Sequence, residues 1–204
     1  MIQKSSKLIY LAVLSFSLCA SVFGQQRQSN QKHKFEHDGT IESHYDDATK
    51  KTTVLLRPYE IRGVDATELS QNEQEFSIMC GFVYQGEHIA GYPETIELHV
   101  MSDSTRGYKF ENREKRVLSV EADGEQLRFG TMSLVRSKHY AYGSSPVNNA
   151  RSGYIEELSI ILTYQGLSKI TEAKKVSLLI GKETIKLPKS HLEALRDLAS
   201  RIRL

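Results

Sequence analysis

Residues 174–204 read KKVSLLIGKETIKLPKSHLEALRDLASRIRL, a run in which strand, turn, strand and helix signals follow one another without conflict. Val176, Leu178 and Ile180 alternate with Ser177 and Leu179, the period of a half-buried strand. Gly181-Lys182 suits a two-residue hairpin turn of type II′ or I′, because glycine reaches positive φ without a Cβ clash. Such a turn fixes the register and sets Leu178 opposite Ile185 and Val176 opposite Leu187; a slip of one residue would oppose each to a polar side chain. Pro188 ends the second strand. Ser190-His191-Leu192-Glu193 then has the form of a capping box. Leu192, Leu195, Leu198, Ala199 and Ile202 make one apolar stripe, while Glu193, Arg196, Asp197 and Arg201 lie off it, with Asp197 and Arg201 placed as a favourable i,i+4 pair. This stripe predicts a helix packed on the core.

The rest of the chain speaks mostly of strands. Val54 and Leu56 share one face of a strand over residues 52–57. Phe76, Ile78, Cys80, Phe82 and Tyr84 mark a long strand with a strongly apolar face, and Ile96, Leu98 and Val100 mark another. Residues 108–110 read as a weaker strand. Asp123-Gly124 signals a type I′ hairpin that pairs Val120 with Leu127 and Leu118 with Phe129. Residues 154–164 form a long strand whose apolar set is broken only by Glu156, and 168–174 a short helical turn. Residues 63–74 read as a loop, and 138–153 as an irregular segment rich in Ser, Asn, Gly and Tyr. Antiparallel strands spaced by turns, with helix only near the end, predict a mainly β fold: a sandwich or a strongly bent sheet with a short helix and a C-terminal amphipathic helix, at the margin of α+β.

Residues 1–24 have the pattern of a secretory signal: Lys4 and Lys7, an apolar core over 8–18, and Val22-Phe23-Gly24 before a cleavage point at Gln25. The expected organisation is a signal peptide at 1–24, a polar N-terminal tether at 25–51, and a single β-rich domain at 52–204. The apolar core is too short to span a membrane, and no second long apolar run follows. Leu18, rather than a small residue, precedes Cys19, which argues against a lipoprotein anchor there. The signal carries two lysines and no acids, so the remaining 25 acidic side chains face an equal number of basic ones. A net charge of zero with no basic cluster argues against nucleic acid and anionic membrane as partners. Cys80 is the one cysteine left after cleavage, so the fold must hold without an internal disulfide. No Asn-x-Ser/Thr sequon occurs, which is compatible with a bacterial periplasmic or secreted protein.

Chemistry-bearing constellations are few. His33, His37 and His44 in the tether, with Asp38, Asp46 and Asp47, supply ligand types for Zn²⁺ or Cu²⁺, although a solvated His-rich linker has the same composition. Cys80 sits mid-strand on an apolar face, the setting of an inert buried thiol rather than a nucleophile. No Gly-x-Ser-x-Gly elbow, phosphate loop, dinucleotide fingerprint, His-Glu-x-x-His or calcium loop is present, and no cofactor is implied. The best candidate surface is the 138–153 segment, where Tyr140, Tyr142, Ser144, Ser145, Asn148, Asn149 and Arg151 combine aromatic contact area with adaptable hydrogen bonding. The expected function is therefore that of a non-catalytic binding or structural module of the cell envelope or extracellular space, its partner a protein or envelope component. The alternative is a hydrolase acting on an envelope or extracellular polymer. An acidic or His-lined cleft would favour the alternative, and an aromatic-rimmed surface or exposed strand edge the first.

Overall fold

The computed structural model describes residues 35–61, 74–87, 91–142 and 151–202. Among the described residues ten strands form two antiparallel sheets. The larger contains β1 (Ile41–Asp46), β2 (Lys51–Ile61), β3 (Gln74–Gln85), β4 (Thr95–Ser104), β8 (Arg151–Leu162) and β7 (Ser133–Tyr142), in the order β1-β2-β3-β4-β8-β7. The smaller contains β10 (Glu183–Lys186), β9 (Val176–Ile180), β5 (Val117–Ala122) and β6 (Glu125–Thr131), in the order β10-β9-β5-β6. Among the described residues neither sheet closes on itself. Helix α1 (Tyr164–Glu172) follows β8, and helix α2 (Lys189–Ser200) follows β10. The architecture is mainly β and sandwich-like, as the strand periodicity predicts.

The hairpin of β9 and β10 has the predicted register, with Ile185 opposite Leu178, and the Leu187 N–H donates to the Val176 carbonyl at 2.9 Å. Gly181 takes a φ of 60°, and an added Cβ would meet the Lys115 carbonyl oxygen at 2.5 Å, so no other residue fits that turn. The second hairpin has positive φ at both Asp123 and Gly124, as a type I′ turn requires. The Asp123 carboxylate accepts from the Lys174 and Lys175 N–H groups, which ties this turn to the start of β9 and holds its carboxyl below the ordinary value.

One row of side chains runs across the large sheet: Leu56 of β2 beside Cys80 of β3, then Leu98 of β4 and Ile160 of β8. The first three are buried and face Leu118, Val120, Leu178 and Ile180 of the small sheet together with Leu167, Ile170, Leu192, Leu195 and Leu198 of the helices. Both sheets and both helices meet at one small apolar void of about 10 Å³, lined among others by Cys80, Leu98, Leu167, Leu178 and Leu195. Arg196 of α2 donates to the Thr171 carbonyl at 2.7 Å and the Ala173 carbonyl at 2.6 Å, satisfying the C-terminal end of α1.

Several local readings change. Residues 41–46, assigned by composition to the tether, are β1, paired along its whole length with β2. Leu118 opposes Gly130 rather than Phe129, because a bulge with Gly130 at φ 104° inserts one residue. The displaced Phe129 ring lies over Gly166, where an added Cβ would come within 2.7 Å of it. Residues 108–110 are not a strand. The long strand ends at Leu162, and α1 starts earlier than expected, with the Thr163 hydroxyl accepting from the Gly166 N–H at 3.0 Å. The capping box does not form: Pro188 is the N-cap of α2, and Glu193 pairs with Arg196 at 2.6 Å. The apolar stripe of α2 is broader than read, since His191 and Ala194 are buried with the leucines.

Glu156, the polar break in β8, is fully buried on the core side. Its carboxylate accepts from the Lys109 N–H at 2.6 Å and the Phe110 N–H at 2.8 Å, pinning the segment after β4 over the end of the sheet with Phe110 buried beneath it.

Candidate functional site

The two described ends of the predicted binding segment are strand, and its middle, residues 143–150, lies outside the described residues. Residues 138–142 belong to β7 and 151–153 to β8, paired so that Tyr140 opposes Gly153 and Tyr142 opposes Arg151. Ser144, Ser145, Asn148 and Asn149 lie outside the described residues, as does any account of the Tyr142 and Arg151 side chains. Tyr140 is not free to contact a partner with its hydroxyl, because it donates to both oxygens of Asp103 at 2.8 Å. Its ring also covers Gly153, where a Cβ would collide with it.

The preceding residue points to the other face. His139 is exposed and sits against Tyr154, with ring centres 4.7 Å apart; Tyr154 in turn meets Tyr108 edge-on at 4.9 Å. Tyr108 is carried by the segment that Glu156 pins, so a buried carboxylate positions one member of a half-exposed aromatic group. The sequence alone placed Tyr154 in the core and did not single out Tyr108 or His139. Their juxtaposition depends on the chain returning across β4 and β8, which no local pattern records.

The outer face of the large sheet carries a second polar group. His99 Nδ1 donates to Glu157 at 3.0 Å, its Nε2 lies 3.4 Å from Glu97, and Arg136 reaches the other Glu157 oxygen at 3.2 Å. The two carboxylates sit at opposite ring nitrogens, so they cannot converge with the imidazole on one ion. Among the described residues no three His, Cys, Asp or Glu side chains are placed to hold a metal. Of the histidines proposed as ligands, His33 lies outside the described residues and His44 is exposed on β1. His37 is enclosed: its Nε2 donates to Asp197 of α2 at 3.1 Å, and its Nδ1 is buried without a hydrogen-bond partner.

Cys80 is completely buried, and burial pushes its thiol up to about 12. A thiol so placed is almost wholly unionised at neutral pH and is no nucleophile. Labelling by a soluble thiol reagent should therefore be slow in native buffer and fast in denaturant; equal rates would contradict the burial of β3.

A different concavity lies where β2 meets the start of α2. It is an open groove of about 630 Å³, lined by Asp38, Pro58, Tyr59, Glu60, Pro188, Ser190 and His191. Tyr59 and His191 stack nearly parallel, with ring centres 4.0 Å apart. The His191 Nε2 donates to the Glu60 carbonyl at 2.9 Å, which leaves Nδ1 as the acceptor nitrogen, 3.4 Å from the Ser190 hydroxyl. Burial lowers the His191 pKa from its ordinary value, so the ring is neutral at physiological pH. Reading α2 with His191 on its stripe, one turn before Leu195, would have exposed its burial; the meeting with Tyr59 is tertiary.

No protein-family model, no curated protein and no solved structure matches this chain.

Proposed function

We propose that the protein is an exported, non-catalytic binding module that engages a protein or cell-envelope component through the β7–β8 arm. The observation that carries this reading is the aromatic group of Tyr108, His139 and Tyr154 at the root of the arm. Rigid rings with polar tips offer contact area at low entropic cost, and such residues dominate the energetics of interfaces. The surrounding strand β7 is mostly exposed, which keeps the rings accessible.

A hydrolase acting on an envelope or extracellular polymer is the second reading, favoured by the groove that gathers Asp38, Glu60, Ser190 and His191. Its weakness is geometric: the Ser190 and His191 side chains are neighbours on one helical turn, at a contact longer than a good nucleophile–base hydrogen bond.

One experiment separates the two. The protein is incubated with an isolated cell-envelope fraction, and both co-sedimentation and the release of soluble fragments are measured. Co-sedimentation without fragments is expected. The Tyr108→Ala/His139→Ala double variant should bind about thirtyfold more weakly, two rings contributing on the order of 1 kcal/mol each. Its melting temperature should stay near that of the wild type, because His139 is exposed and Tyr108 only half-buried. Fragment release would favour the hydrolase, and a double variant that binds like the wild type would remove the arm from consideration.

A further inference from the structure

We propose that the outer edge of β7 takes an acidic, extended stretch of polypeptide as an added strand, an inference that rests on the arm being the binding surface. Strand β7 ends the large sheet, and its strand neighbour among the described residues is β8 alone. One row of its backbone N–H and C=O groups therefore has no ladder partner among the described strands, and such a row is a template for a further strand. The other edge strands offer less. β10 has 4 residues and β1 has 6, while the 7 residues of β6 are interrupted by the bulge beside Gly130. β7 has 10, and its own irregularity, at Val135, falls near its start; residues 136–142 pair with 157–151 without interruption.

The side chains along this edge select the partner. β7 contains Arg136, Lys138 and His139 and no acidic residue. Arg136 reaches Glu157 and Tyr140 reaches Asp103 on the outer face of the large sheet, so Lys138 between them stands on that face. Arg136 shares its charge with Glu157. Lys138 is exposed and makes no ion pair with any described residue. A carboxylate on an added strand would lie opposite Lys138 or at the diagonal position, within reach of the ammonium group. A second copy of β7 fits poorly. Antiparallel self-pairing centred on Ser137 would set Arg136 of each copy against Lys138 of the other, like charges directly opposed. A bulge and a lysine are ordinarily devices that keep an edge from pairing. Here the bulge spares most of the strand, and the lysine turns away cationic strands while attracting acidic ones.

The test titrates the isotope-labelled protein with acetyl-Thr-Glu-Thr-Glu-Thr-Glu-Thr-amide, whose carboxylates all fall on one face of a strand, and follows the amides of residues 136–142 by NMR. The comparisons are the same peptide with lysine in place of glutamate, and two N-methylated versions, one methylated at the threonines and one at the glutamates. Saturable shifts are expected with the glutamate peptide, together with slowed hydrogen exchange at alternate residues of β7. In an added strand one alternate set of peptide N–H groups points at β7 and the other at solvent, so one of the two methylated peptides should lose binding. Lys138→Gln should weaken the glutamate peptide roughly twofold to fivefold, the scale of an exposed ion pair. Lys138→Glu should weaken it further, by about tenfold, and should take the lysine peptide instead. No saturable shift, equal binding of the lysine peptide by the wild type, or full binding of both methylated peptides would overturn the added strand. Failure of the glutamate peptide, with envelope binding still lost in the Tyr108→Ala/His139→Ala variant, would overturn strand addition and leave the arm as the binding surface. Saturable, methylation-sensitive binding by a protein that does not co-sediment with the envelope would support strand addition and overturn the envelope reading alone.

Discussion

Removal of residues 190–204 should abolish cooperative thermal unfolding. Helix α2 buries Leu192, Leu195 and Leu198 completely or nearly so, with Ala194 between them. Burying one such leucine is worth about 1.5–3 kcal/mol, and a domain of this size is held by only about 5–15 kcal/mol in total. The deletion also removes the Arg196 guanidinium from the last carbonyls of α1 and Asp197 from His37, so the damage spreads to two other segments. Circular dichroism against temperature is the measurement. A truncated chain that still melted in one transition near the parent temperature would mean that α2 is a detachable element. The milder Leu195→Ala should cost about 2–5 kcal/mol, since Leu195 lies where the two sheets and two helices meet.

The second large effect is expected at Glu156. Its carboxylate is the acceptor for two backbone N–H groups in a site with no exposure to water. Glu156→Ala leaves both donors without it; the buried Phe110 N–H costs about 1–3 kcal/mol unsatisfied and the half-buried Lys109 N–H less, so the loss should be at least about 1–3 kcal/mol. Glu156→Gln keeps one acceptor oxygen and should fall between the alanine variant and the wild type. Denaturant unfolding gives the magnitude, and hydrogen exchange at Lys109 and Phe110 gives the location. If Glu156→Ala unfolds within about 0.5 kcal/mol of the wild type, the pinning of this segment is wrong. The same variant should disorder Tyr108 and so reduce envelope binding, a link between core and surface that a merely exposed loop would not have.

What could be read from the sequence was local. The β9–β10 hairpin was legible because turn chemistry and alternation act within a dozen residues and agree. The register beyond Val120 was not, because Phe129 leaves its pairing to lie over Gly166, a contact made by α1 and invisible in the hairpin's own pattern. Edge strand β1 was read as tether for a related reason. Its residues Glu42, Ser43 and His44 are polar, and an edge strand with little buried surface carries little alternation. In the same way, turn-rich composition hid the strand character of the arm. The capping box failed because its two members had better partners: the Pro188 carbonyl starts the helix by accepting from His191 and Leu192, and Arg196 takes Glu193. The groove was the least legible feature, since Asp38, Tyr59 and His191 lie on three separate segments.

The packing of α2 against β2 has a consequence for the order in which the molecule can form. Val54 and Leu56 leave the ribosome early, yet the leucines that cover this region belong to the last of the described elements in chain order. At ordinary synthesis speeds the interval is on the order of ten seconds, far longer than a hairpin needs to close. Strands β2 to β4 can pair during that time but cannot finish burying their apolar face. The nascent chain therefore passes through a long interval in which its main hydrophobic surface is open, and folding completes only once the C-terminal segment is available. A holding chaperone should bind that interval's intermediates and release them when α2 docks, which makes the helix a timing element as well as a wall of the core.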